Sequence, residues 1–120
     1  ACFGPRRVIS SPARRCVDTV TPFVSNHGLP LRLDESLSER GCSANPTATG
    51  ATVARLLETG GPDLWCTHRP VLPIALGAVA RHLRLDPGDD RLDPRLAPGA
   101  ALVLHRDLDG QPIAVDRLTG

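Results

Sequence analysis

Apolar and polar positions change between two periods along the chain, which predicts strands interleaved with helices. Five segments have the short apolar runs of strands, and three have apolar positions at helical spacing. The predicted strands are residues 7–10, 31–33, 63–67, 100–105 and 112–118. The predicted helices are residues 12–26, 47 or 49 to 58, and 71–85. This alternation, closed by a hairpin, favours an α/β three-layer sandwich with a mostly parallel central sheet.

Turn-forming residues divide these elements. Gly28 predicts the end of the first helix, and Pro22 predicts a kink or a broken turn within it. Residues 34–47 and 86–98 are predicted to be loops, and residues 107–110 are predicted to be the hairpin turn. The predicted inward positions of the second helix are Val53, Leu56 and Leu57.

The first strand runs directly into a turn that suits an anion. Ser10 and Ser11 end the strand, Pro12 opens the predicted helix, and Arg15 lies in its first turn. Serine is a good N-cap, and a helix N-terminus beside a guanidinium attracts a phosphate. The alternative is an ordinary βα joint whose arginine is solvated and whose serines only cap the helix.

Composition limits the class of partner. The 120 residues carry a net charge of +1, and aromatic residues make up only 2 %. Scattered charge without aromatic platforms argues against a nucleic-acid surface. All the basic residues are arginine, which is typical of a GC-rich genome and weakens arginine abundance as evidence for function.

The cysteines and the chain ends bear on location. Cys2, Cys16, Cys42 and Cys66 show no metal-binding spacing, and no signal peptide or membrane span is visible, so a cytoplasmic protein with reduced thiols is expected. The chain lacks methionine and starts at Ala1. This start indicates either a removed initiator or, as we expect, a piece of a longer polypeptide.

Three segments carry polar side chains to the ends of predicted strands, where α/β proteins bind ligands. They are Ser10-Ser11-Pro12-x-x-Arg15-x-x-x-Thr19, Leu37-Ser38-Glu39-Arg40 and Cys66-Thr67-His68. In order and spacing they resemble the motifs of the histidine phosphatase superfamily, the phosphoglycerate-mutase-like enzymes. The resemblance extends over all 120 residues, as one partial domain. It is nearest to the phosphatase domain that follows a Nudix hydrolase in some bacterial fusions.

The resemblance implies a role for each site residue. Arg15 would grip the transferred phosphate, with Ser10 and Ser11 adding donors, while Glu39 would act as acid and base and His68 would contact the phosphoryl group. Ordinary alternatives stay open: a solvated arginine, a solvated glutamate and a capping histidine. No metal and no cofactor are expected. The substrate would be a phosphorylated small molecule or a phosphoprotein.

One departure from the family affects the expected activity. The family begins with a strand that ends in Arg-His, whose histidine is the nucleophile, and no such segment precedes the first motif. Arg81-His82 is no substitute, because it lies within a predicted helix. We therefore expect a domain without its first strand and helix, inactive alone because the nucleophile lies upstream. The alternatives are a non-catalytic anion-binding module that partners a Nudix domain, and a purely structural module.

Overall fold

The computed structural model describes residues 4–59, 62–86, 88–96, 101–106, 110 and 112–118. In these residues it contains a mixed α/β arrangement. The strands are β1 (Arg7–Ser10), β2 (Leu31–Leu33), β3 (Asp63–Cys66), β4 (Ala101–Arg106) and β5 (Pro112–Leu118). The helices are α1 (Arg14–His27), α2 (Glu39–Ala44), α3 (Pro46–Thr59) and α4 (Leu72–His82). Short 3-10 turns cover Glu35–Leu37, Arg69–Val71 and Asp90–Leu92.

A three-stranded parallel sheet with the order β2-β1-β3 forms the centre of the site-bearing region. Ser10 is in register with Leu33 on one side and with Cys66 on the other, so the carboxyl ends of all three strands are level. Val8 and Ile9 point to opposite faces and are both fully buried, which shows that both faces of β1 are covered. The predicted parallel sheet is confirmed for these strands.

Helix α1 differs from the prediction at its start. Ala13 is the N-cap and makes no side-chain capping bond, so the predicted capping by the two serines is wrong. Ser10 is still within β1, and the Ser11 hydroxyl accepts the Ala13 N–H at 3.2 Å in the turn before the helix. Arg15 is therefore the second helical residue, close to the predicted place.

Pro22 does not break α1, which is continuous to His27. Proline fits helical φ, but its nitrogen has no hydrogen to donate and its ring crowds the carbonyl four residues earlier, here that of Asp18. Burial of Cys16 and Val20 on the inner face of the helix offsets that loss. Gly28 ends the helix in the left-handed conformation at φ 59°, as predicted.

Residues 34–47 are not the predicted loop. They form the 3-10 turn, helix α2 and the start of α3, because three side chains cap successive turns. Asp34 accepts from the Ser36 N–H, Ser38 from the Gly41 N–H, and Asn45 from the Ala48 N–H. Glu39 is therefore the first residue of a short helix, and it does not lie in a flexible loop.

Helices α3 and α4 pack together over one hydrophobic cluster. The predicted inward residues of α3, Val53, Leu56 and Leu57, are buried as expected. Helix α4 begins at Leu72, after a 3-10 turn, and ends at His82, so it is shorter than the predicted 71–85. The members of the cluster are Val53, Leu57, Ala75, Ala78, Val79, Ala80, Leu83 and Leu92.

The terminal hairpin is confirmed as an antiparallel pair, but β4 and β5 form a sheet separate from the parallel one. The two sheets meet through the core, since Trp65 of β3 and Leu104 and Val115 of the hairpin pack against the same cluster. The predicted turn residues 107–109 lie outside the described residues, and so do residues 87, 97 and 98 of the predicted loop 86–98. Within the described part, no helix is long and apolar enough to cross a bilayer.

Candidate functional site

The carboxyl ends of β1 and β3 bring two of the three motifs together. The Ser11 N–H donates to the Cys66 carbonyl at 2.9 Å, which ties the turn after β1 to the end of β3. The third motif is joined to them through Thr67, whose hydroxyl donates to the Leu37 carbonyl at 2.5 Å. These bonds exist because parallel strands present their free ends at one edge of the sheet.

An open cleft of about 430 Å³ lies at this edge. Its walls come from the turn before α1 and the first turn of that helix, from the Glu35–Leu37 turn with α2, and from His68, two residues after β3. The lining residues are Pro12, Ala13, Arg15, Glu35, Ser38, Glu39, Arg40 and His68. The structure thus brings together Arg15, Glu39 and His68, while their chemical roles stay predictions.

The side chain of His68 is almost enclosed, with only 9 % of it exposed. Its Nε2 lies 2.9 Å from the Ser11 hydroxyl oxygen and 3.6 Å from the Cys16 sulfur. Its Nδ1 lies 3.7 Å from Oε1 of Glu39, so this nitrogen faces the cleft. The imidazole is therefore held from behind and presents one nitrogen to a ligand.

Glu39 and its neighbours make the opposite wall. The Glu39 side chain is 52 % exposed and starts α2, where Ser38 is the N-cap. Glu35 lies beside it, and its carboxylate accepts from the Ser38 hydroxyl at 2.9 Å. A carboxylate at a helix N-terminus next to an imidazole can exchange protons with a bound group.

Two arginines supply the positive charge of the cleft. Among the described residues, neither Arg15 nor Arg40 has a side-chain hydrogen bond or an ion pair, and both are exposed. The preceding residue, Arg14, instead forms an ion pair with Asp18 at 3.4 Å, away from the cleft. The guanidinium groups of Arg15 and Arg40 are thus available to an anion.

Ser10 and Ser11 are completely buried and do not line the cleft. The Ser10 hydroxyl donates to the Ser11 carbonyl at 2.8 Å, and the Ser11 hydroxyl contacts His68. Behind them, burial and then a hydrogen bond with Cys16 raise the pKa of the Cys66 thiol to about 12. The structure therefore places both serines under the site, with backbone and side chains that support its walls.

Sequence reasoning missed Ser38 and Arg40 as lining residues. The capping signals at Asp34-x-Ser36 and Ser38-x-x-Gly41 could have shown that the segment is helical, which sets Arg40 beside Glu39. Arg69, the residue after His68, does not line this cleft and lies at a second one with Pro73, Pro94, Arg95 and Leu96. In the part of the chain that the structure describes, no three His, Cys, Asp or Glu side chains are grouped to hold a metal ion.

Comparison with known families agrees with the motifs. The model of the histidine phosphatase superfamily (branch 1) matches residues 1–74, which include all three motifs. No curated protein matches the chain. Since the match covers more than half of the 120 residues, the chain belongs to the histidine phosphatase superfamily.

Proposed function

We propose that the cleft binds the phosphoryl group of a phosphomonoester or phosphohistidine and forms part of a metal-independent phosphohydrolase. The observation that carries this proposal is the meeting of Arg15, Glu39 and His68 in one open cleft at the carboxyl ends of β1 and β3. Family membership supports the reaction class. The substrate would be a phosphorylated small molecule or a phosphoprotein, and the protein would work in the cytoplasm.

Each side chain has a defined task in this reaction. A nucleophilic imidazole attacks phosphorus, the bond to the leaving oxygen breaks, and Glu39 protonates that oxygen. Water then attacks the phosphohistidine, Glu39 takes the proton of the water, and the P–N bond breaks. Arg15 and the His68 N–H donate to the equatorial oxygens, where the negative charge of the transition state lies.

The nucleophile itself would come from a segment upstream of this sequence. Among the described residues, His68 is the one histidine that lines the cleft, and it is already assigned to the phosphate oxygens. The 120 residues would therefore be inactive alone. In the complete domain we propose the phosphoglycerate-mutase-like sandwich, with the missing strand added to the parallel sheet.

The second candidate function is anion binding in the same cleft without catalysis. Two arginines without partners among the described residues, beside a single imidazole, also suit a non-catalytic module that binds phosphate or another anion. Such a module would partner a Nudix hydrolase domain. The two candidates differ in turnover, and both require anion binding in the cleft.

The binding test compares Arg15→Ala with Arg14→Ala, and it measures the affinity of each variant for inorganic phosphate by titration calorimetry. Loss of a charge-assisted hydrogen bond costs about 1.5–3 kcal/mol, so Arg15→Ala should weaken phosphate binding about 10- to 150-fold. Arg14→Ala removes the same charge from the adjacent position and should change the affinity little, because its side chain points to Asp18. Equal effects of the two substitutions would contradict the proposed site.

The catalytic test uses p-nitrophenyl phosphate with a longer chain that includes the upstream segment. Turnover should survive EDTA and collapse in Arg15→Ala and His68→Ala, whereas the 120-residue chain should show none. Normal rates in both variants would refute the roles. Activity of the 120-residue chain that is lost on Glu39→Gln would show that the nucleophile lies within it.

A further inference from the structure

The Ser11 hydroxyl occupies a position that the phosphate-binding role does not explain. It is completely buried, and it lies behind the imidazole of His68 rather than in the cleft. Its oxygen has two described partners: the Ala13 N–H at 3.2 Å and Nε2 of His68 at 2.9 Å.

The donors and acceptors around this hydroxyl determine the direction of its hydrogen bond. A backbone N–H can only donate, so the bond from Ala13 uses a lone pair of the Ser11 oxygen. The hydroxyl hydrogen then needs an acceptor, and His68 Nε2 is the partner that remains among the described groups. A proton on Nε2 would leave the buried hydroxyl hydrogen without an acceptor in that part of the chain.

The rest of the ring's buried side agrees with this assignment. The Cys16 sulfur is 3.6 Å from Nε2 and 3.7 Å from the Thr67 carbonyl, so its S–H can donate to either. No described carbonyl or carboxylate oxygen is within hydrogen-bond distance of Nε2. The described polar neighbours of Nε2 are thus a hydroxyl and a thiol, both able to donate to it. A neutral imidazole whose Nε2 accepts carries its single proton on the other nitrogen, Nδ1.

We propose that Ser11 is a positioning residue that holds neutral His68 in the Nδ1–H tautomer, with that N–H facing the cleft. The proposal rests on the proposed function only for the identity of the ligand as an anion. An N–H on Nδ1 donates to a phosphate oxygen, whereas a lone pair on Nδ1 would repel it. Neutral His68 therefore remains a hydrogen-bond donor because of a hydroxyl that never touches the ligand.

The test reads the tautomer directly from the imidazole nitrogen shifts and their couplings to the ring protons in ¹⁵N NMR. Spectra of the free protein are recorded at a pH about two units above the ordinary histidine pKa of ~6.5, and His68→Gln identifies the signals of His68. The expected result is a protonated Nδ1 and a lone pair on Nε2 in the unsubstituted chain. A protonated Nε2 there overturns the proposal without any variant.

Two matched substitutions then test the role of Ser11. In Ser11→Ala the Nδ1–H form should fall from the major to the minor tautomer, because a solvated histidine keeps its proton mainly on Nε2. Ser10→Ala removes an equally buried hydroxyl from the adjacent residue, which bonds to a carbonyl and not to His68, so the Nδ1–H form should persist. An unchanged tautomer in folded Ser11→Ala, or the same change in both variants, overturns the role of Ser11.

Phosphate titration at the same pH separates this inference from the proposed function. Ser11→Ala should bind phosphate several-fold more weakly, because only its minor Nδ1–H tautomer can donate to the anion. The tautomer is measured without ligand. A chain that shows the expected tautomers and binds no phosphate would therefore contradict the proposed function and leave the role of Ser11 supported.

Discussion

Gly41 holds the wall of the cleft that carries Glu39, and its replacement by alanine tests how that wall is built. A Cβ atom at Gly41 would lie 2.0 Å from the Glu35 carbonyl oxygen and 3.1 Å from the Ser38 hydroxyl oxygen. Because Cβ contacts essentially never fall below 3.0 Å, α2 and the Glu35–Leu37 turn would have to separate by roughly 1 Å. Both obstructing groups belong to the segment that caps α2, so the clash cannot be relieved by one side chain.

The expected cost of Gly41→Ala is that of overpacking, about 1–3 kcal/mol of unfolding free energy. For a chain of this length, 1 kcal/mol corresponds to about 4 °C in Tm, so the loss should be about 4–12 °C. Phosphate binding should also weaken, since Ser38 and Glu39 move with α2. Urea denaturation, thermal scans and phosphate titration measure the three effects.

Gly77→Ala is the matched control, with the same chemical change inside a regular helix. A Cβ atom at Gly77 of α4 meets only the Arg81 guanidinium, at an ordinary 3.6 Å. Alanine is the better helix former, so this variant should gain about 0.5–1 kcal/mol. A Gly41→Ala variant as stable as the parent, or two variants that shift in the same direction, would refute the reasoning.

Two further stability measurements test the support of the parallel sheet. Folding raises the pKa of the Cys66 thiol from 9.0 to about 12, so between these pH values the folded protein keeps a proton that the unfolded chain loses. The free energy of unfolding should therefore fall from pH 9 to pH 12, and it should fall less steeply in Cys66→Ala. Urea denaturation across that pH range measures both slopes. Equal slopes would contradict the shift. Asp63→Asn breaks a two-bond pair with Arg7, at 2.6 and 2.9 Å, and should cost about 1–3 kcal/mol in the same assay. Asp18→Asn removes only the exposed pair with Arg14 and should cost about 0.3–0.5 kcal/mol; equal losses would show that the burial of Asp63 adds nothing.

The spacing of apolar residues was sufficient to predict the regular helices and strands, because burial of one face of an element requires that spacing. Val53, Leu56 and Leu57 recur at helical spacing and are buried in α3, and the two apolar residues of β1 fill the centre of the sheet. Prediction failed where local hydrogen bonds set the conformation. The caps at Asp34 and Ser38 turned a predicted loop into helix, and packing kept α1 intact through Pro22.

The motifs Ser10–Arg15, Leu37–Arg40 and Cys66–His68 identified the family from residue order alone, because a phosphate site needs the same side chains at the same strand ends. The sequence did not show which side chains of these motifs line the cleft, because that depends on the tertiary structure. Ser10 and Ser11 are buried beneath the cleft, and the capped helix α2 places the exposed Arg40 in its wall. The sequence alone determines which chemical groups are available. Which of those groups meet is determined only by the packing of α1, α2 and β3, because those contacts join residues that are far apart in the chain.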